Sequence, residues 1–129
     1  MNQKHILVID DEQNLLRTIE FILEAANYKV TTAVNGQDAL AHIFANNNGH
    51  APIDLVVTDI RMPGLSGIQL LDQLNQSDMN IPVLVITAHG NKDLIIELMR
   101  KGCADYLDKP FDDEEFVNRV GSLLEDATV

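Results

Sequence analysis

Five short apolar runs punctuate this chain, and between them apolar positions recur every three or four residues. Residues 5–9 predict a first strand, and Leu15, Leu16, Ile19, Ile22, Leu23 and Ala26 then mark one face of a helix. Residues 30–34 predict a weaker second strand, diluted by Thr31 and Thr32. Gly36 to about Asn46 follows as a helix with Ala39, Leu40, Ile43 and Phe44 on one face. The breaker residues of 46–52 predict a loop. Residues 55–58 make a third strand, and Ser66 is an N-cap for a helix using Ile68, Leu71 and Leu74. Pro82 opens a fourth strand over 83–86. Asn91 starts a helix carrying Leu94, Ile95, Leu98 and Met99, and Gly102 suits its C-terminal cap. Residues 104–107 form the fifth strand. Asp112, with Glu115 three residues on, caps a last helix that turns Phe116, Val117, Val120, Leu123 and Leu124 inward.

Strands 1, 3 and 4 read as continuous apolar runs and not as alternations, which marks parallel strands covered on both faces. Five βα units then imply an open, doubly wound α/β sheet with helices on both sides. The chain has 129 residues, the size of one domain, and shows no repeat, low-complexity tract or linker. It is 46% hydrophobic and 22% charged, with no stretch apolar enough to span a bilayer and no signal peptide at its start. The single Cys103 cannot make an internal disulfide, which fits a reducing cytoplasm, and it reads as a small buried residue in a helix-to-strand loop. The formal net charge is −11, from 20 acidic and 9 basic residues. A field of that sign repels nucleic-acid phosphates and anionic lipid, so neither is an expected partner, whereas a divalent cation is.

Ligands of open α/β sheets bind beyond the carboxyl ends of the strands. Asp10, Asp11 and Glu12 follow strand 1, Asp59 follows strand 3, Thr87 strand 4, and Lys109-Pro110 strand 5. If strands 1 and 3 are neighbours, as in the flavodoxin-like order 2-1-3-4-5, these groups converge in one cleft. Three carboxylates there repel each other, and a hard cation such as Mg²⁺ relieves this. Asp10, Asp11 and Asp59 supply carboxylates, and the main-chain carbonyl of Arg61 supplies a further oxygen. The plainer alternative is that Asp10 and Asp11 only cap the first helix. Asp59, before the turn Met62-Pro63-Gly64, can attack a phosphoryl group once a metal neutralises charge. Thr87 and Lys109 can then hold two phosphoryl oxygens. A cis bond at Pro110 would aim Lys109 inward. The four histidines show no metal-ligand spacing, and His89 alone falls near the site.

At these residues the sequence resembles the response-regulator receiver domain over about residues 4 to 125. The matching pieces are residues 6–12 (ILVIDDE), 57–64 (VTDIRMPG), 85–88 (VITA) and 105–111 (DYLDKPF), in order and at the family's spacing. The resemblance implies a flavodoxin-like five-stranded sheet, order 2-1-3-4-5, in a single receiver domain over 1–129 without an output domain. It implies that Asp59 is the phosphoacceptor and that Asp10 and Asp11 surround Mg²⁺ (or Mn²⁺), Asp11 directly and Asp10 through water. It assigns Thr87 and Tyr106 to the switch and Lys109 to the phosphoryl group. The implied donor is a sensor histidine kinase or histidine phosphotransfer protein, and the implied target an effector or fused output domain. A phosphorylation-dependent homodimer is left open. Thr87 to Gly90 and Tyr106 to Asp112 look like receivers that head AAA+ transcription activators.

Three rivals share parts of this chemistry. A haloacid-dehalogenase-type phosphatase would want an acid two positions after the nucleophile, where Arg61 stands. An FMN carrier would want a phosphate-binding loop after strand 1, where Asp10-Asp11 repels. A receiver-like interaction module that is never phosphorylated would not need the acidic residues and Lys109.

Overall fold

The computed structural model of the chain describes residues 3–47, 52–60, 67–77, 80–88 and 92–126. Its elements run β1 (His5–Ile9), α1 (Gln13–Ala25), β2 (Lys29–Ala33), α2 (Gly36–Asn47), β3 (Leu55–Asp59), α3 (Gly67–Gln76), β4 (Val83–Thr87), α4 (Lys92–Arg100), β5 (Asp105–Asp108) and α5 (Asp113–Asp126). The strands form one sheet in the order β2-β1-β3-β4-β5, and every neighbouring pair is parallel. This is the expected flavodoxin-like α/β fold.

The continuous apolar runs have the cause inferred for them. Successive strand side chains point to opposite faces. Leu7, Ile9, Val56, Val83 and Val85 enter one layer, packed with Ile43 of α2, Leu70, Leu71 and Leu74 of α3, and Leu98 of α4. Ile6, Val8, Leu55, Val57, Leu84 and Ile86 enter the other, with Leu16, Ile19 and Leu23 of α1 and Phe116, Val120 and Leu124 of α5. Both layers are built from apolar side chains, so strands β1, β3 and β4 are apolar on both faces along most of their length.

Several details differ from the sequence reading. Strand β2 sits one residue earlier, leaving Val34 exposed, and β5 one residue later. The ladder with the neighbouring strand sets these ends. Phe44 and Met99 are 38% and 48% exposed and do not join the inward faces expected of them. Adjacent helical residues are about 100° apart, so where Ile43 and Leu98 point inward the next residue rolls out. Asp112 does cap α5, its carboxylate accepting the Glu115 N–H at a long 3.4 Å and its carbonyl the Phe116 N–H at 3.0 Å. Ser66 and Asn91, the other expected caps, lie outside the described residues, as do the turn at 62–64 and most of the 46–52 loop. No helix among the described residues is long and apolar enough to cross a membrane.

Candidate functional site

The carboxyl ends of β1, β3, β4 and β5 lie side by side because the sheet order makes those strands neighbours. Asp59 is the last residue of β3 and pairs with Ile86 of β4. Thr87 ends β4 opposite Asp108 of β5, and the Lys109 N–H donates to the Thr87 carbonyl at 2.8 Å. That bond ties the segment carrying Lys109 to the tip of β4. The Lys109-Pro110 peptide is cis. Phe111 then packs its ring 5.0 Å from that of the buried Phe116, which anchors the same segment on α5.

The Lys109 ammonium reaches across the sheet end to two carboxylates. It lies 2.8 Å from Asp59 Oδ2 and 3.3 Å from Asp10 Oδ2. Those two oxygens are therefore at most about 6 Å apart. All three side chains are largely buried. Burial raises the pKa of Asp10, and the Glu12 N–H and Lys109 offset only part of that rise. Burial alone would lower Lys109, but its hydrogen bond to Asp59 and the charges of Asp10 and Asp59 prevail and hold it above an ordinary lysine. Asp10 also serves the helix: its Oδ1 accepts the Glu12 N–H at 2.9 Å at the start of α1. One Asp10 oxygen thus closes the turn that leads into α1 and the other faces Lys109, while the N-cap residue of α1 is Glu12.

Of the three carboxylates expected to meet, two share Lys109, while Asp11 stands exposed at the same strand tip. Among the described residues no three His, Cys, Asp or Glu side chains are grouped as a metal cage. Mg²⁺ does not require one, since it keeps several waters and takes one or two carboxylates. The donors here are oxygen only, and a buried carboxylate whose pKa is raised gains from a nearby cation. The residues therefore fit such an ion. Arg61, expected to offer its carbonyl, lies outside the described residues, as does His89. Thr87 is buried, at 6% exposure, and pairs across the sheet with Asp108, the residue before Lys109.

Tyr106 is half-buried, sits opposite Val85 of β4, and packs against the layer of α2, α3 and α4. It also lines a cleft of about 420 Å³ with Asp105, Phe111, Glu115 and Arg119. Arg119 of α5 spans that cleft, 2.9 Å from the Asp105 carboxylate and 3.2 Å from the Tyr106 carbonyl. The sequence reading did not single out Arg119, nor Thr58 and Gly67, which flank the Asp59 backbone. A hydroxyl inside an apolar strand and a glycine at a helix start were the available signals.

Comparison with known proteins places the chain in a family. The family model of the response regulator receiver domain matches residues 6–121. The chain is 35% identical over 123 residues to the transcriptional regulatory protein FixJ of Bradyrhizobium diazoefficiens, covering 95% of this chain and 58% of that protein. It is 36% identical to the C4-dicarboxylate transport transcriptional regulatory protein DctD of Pseudomonas aeruginosa, with 95% and 26% covered. The chain thus spans little more than half of such relatives, or less. Among solved structures, a response regulator receiver domain protein from Clostridium thermocellum superposes with a TM-score of 0.88 at 33% identity, covering 97% of each chain. By fold, by the groups gathered at its strand tips and by a match over nearly its whole length, this chain belongs to the response regulator receiver domain family of two-component signal transduction.

Proposed function

We propose that this receiver is a phosphorylation-activated switch whose phosphoacceptor is Asp59. The observation that carries the reading is the Asp59–Lys109–Asp10 constellation: one ammonium within 2.8 and 3.3 Å of two largely buried carboxylates from separate strands. Structural ion pairs are seldom built this way, because desolvating three charges costs more than a surface pair returns. Such an arrangement is expected where charge must change during function.

An Asp59 carboxylate oxygen attacks the phosphorus of a partner's phosphohistidine. The P–N bond breaks, its electron pair leaves on the imidazole, and an acyl phosphate forms on Asp59. Mg²⁺, or Mn²⁺ in its place, would be held by Asp10, Asp11, Asp59 and the Arg61 carbonyl, and supplies charge neutralisation when bound. Lys109 is already hydrogen-bonded to Asp59 and follows its new oxygens. The Thr87 hydroxyl, on the adjoining strand tip, turns to a phosphoryl oxygen. Modification adds about −1.5 to −2 charges and three acceptors at this point. The tie between Lys109 N–H and the Thr87 carbonyl couples β4 to β5, so the change passes to Tyr106 and the α4-β5-α5 face. A bias of a few kcal/mol suffices to shift such an equilibrium. Water later hydrolyses the acyl phosphate slowly. The chain works as one receiver unit in the cytoplasm. A sensor histidine kinase or phosphotransfer protein serves it, and it acts on an effector or fused output domain.

Replacing Asp59 by Asn tests this. Incubated with acetyl phosphate and Mg²⁺, the unaltered chain takes up one phosphoryl group and Asp59→Asn takes up none. Equal labelling of the two would remove Asp59 from the role.

A further inference from the structure

The chemistry assigned to Asp59 depends on where its backbone is held, and two neighbours fix the peptide that follows it. Thr58 is fully buried, and its hydroxyl donates to the Asp59 carbonyl oxygen at 3.0 Å. Gly67 opens α3 directly against that same oxygen. A Cβ on Gly67 would lie 3.0 Å from the Asp59 carbonyl oxygen and 3.1 Å from Ile60 Cα. Both are backbone atoms, and both distances are tighter than ordinary van der Waals contact, so the peptide would have to give by a few tenths of an ångström. The Gly67 N–H also donates to the Ile60 carbonyl at 3.0 Å, so helix start and strand tip are tied as well as close. Gly67 is not among the positive-φ glycines, which leaves the missing side chain as the reason for it.

We propose that Gly67 and the Thr58 hydroxyl are positioning residues for phosphorylation. They set the Asp59-Ile60 peptide so that the Asp59 carboxylate meets Lys109 and the incoming phosphorus. The inference rests on the reading of Asp59 given above. Neither residue touches the reacting atoms. Their effect is exerted through the Asp59 carbonyl, which accepts the Thr58 hydroxyl and which α3 approaches closely at Gly67.

The test measures the rate of acyl phosphate formation from acetyl phosphate at saturating Mg²⁺, together with the melting temperature, on the full chain. Gly67→Ala should slow labelling about tenfold or more, the scale of effect expected from a small displacement of a reacting group. Thr58→Val should slow it too, and Thr58→Ser, which keeps the hydroxyl, should restore it. Leu124→Ala, in the opposite layer, should lower the melting temperature yet label at the unaltered rate. If Gly67→Ala fails to fold, the Thr58 pair carries the test. The proposal is overturned if Thr58→Val labels normally, if Thr58→Ser fails to rescue, or if Leu124→Ala slows labelling as much for the same loss of stability. An unaltered chain that takes no label would instead remove the reading of Asp59 itself, and the proposal with it.

Discussion

Asp10 meets two demands with one carboxylate, holding the Glu12 N–H on one oxygen and facing Lys109 with the other while only 3% exposed. Because burial raises its pKa, the folded chain binds a proton there more readily than the unfolded chain. At neutral pH the ionised group therefore weakens the fold, and the penalty is relieved as pH falls through the raised value. Asp10→Asn keeps the acceptor for Glu12 and removes the charge. It should raise the melting temperature of the metal-free chain by a few degrees while weakening Mg²⁺ binding severalfold. Melts with and without Mg²⁺ check both, and a lower metal-free melting temperature would mean that the Lys109 pair outweighs burial. Cys103 gives a second residue-scale prediction. Burial pushes its thiol from 9.0 to about 11, and its Sγ lies 2.9 Å from the Asp105 carbonyl. Thiolate is the reactive form, so alkylation at pH 8 should be about a hundredfold slower in the native chain than in denaturant. The unfolded thiol ionises first as pH rises, so stability should decline between pH 9.0 and about 11. Cys103→Ala should flatten that decline by up to about 2 kcal/mol in urea melts. A native thiol alkylated as fast as the unfolded one would refute its burial. That Asp10, Asp59, Thr87 and Lys109 stand at neighbouring strand tips was legible in the sequence, because strand tips are identifiable there. The double use of Asp10 was not, since spacing cannot say which oxygen faces which donor.

At the scale of elements, two helices end in the same way with different residues. Helix α1 closes with Asn27 N–H to Glu24 and Tyr28 N–H to Leu23, Asn27 lying at φ 71°. Helix α4 closes with Gly102 N–H to Met99 and Cys103 N–H to Leu98, Gly102 lying at φ 93°. Both are left-handed caps that satisfy the last carbonyls. Asn tolerates that region at a cost that Gly avoids. Asn27→Ala should destabilise the chain by about 1 kcal/mol, and Asn27→Gly should change it by no more than a few tenths. Equal effects of the two in urea melts would contradict the backbone explanation. The Gly102 cap was readable in the sequence because glycine after an amphipathic run has few other uses there. Asn27 was not, because asparagine is common in any loop and its side chain is here also used by Gln3. Strand ends were misplaced by one residue at β2 and β5 for a related reason: the register with the neighbouring strand decides them, and no local pattern reports it.

For the whole molecule, parallel order and two-sided burial followed from three uninterrupted apolar runs, and the sheet order placed the polar strand tips together. What the sequence left open was the balance within that cluster. In a chain with a net charge of −11, Lys109 lies between the largely buried carboxylates of Asp10 and Asp59 and ties their strand tips together. In the proposed switch, a phosphoryl group on Asp59 would give Lys109 a more highly charged acceptor, and the bond from the Lys109 N–H to the Thr87 carbonyl would couple that exchange to β4. The direct test is to incubate the unaltered chain with acetyl phosphate in Mg²⁺ and in chelator, trap the acyl phosphate by reduction, and map the altered peptide by mass spectrometry. A single modification at Asp59, formed with Mg²⁺ and lost with chelator, is the predicted result. Modification at another residue, or the same yield in chelator, would contradict it.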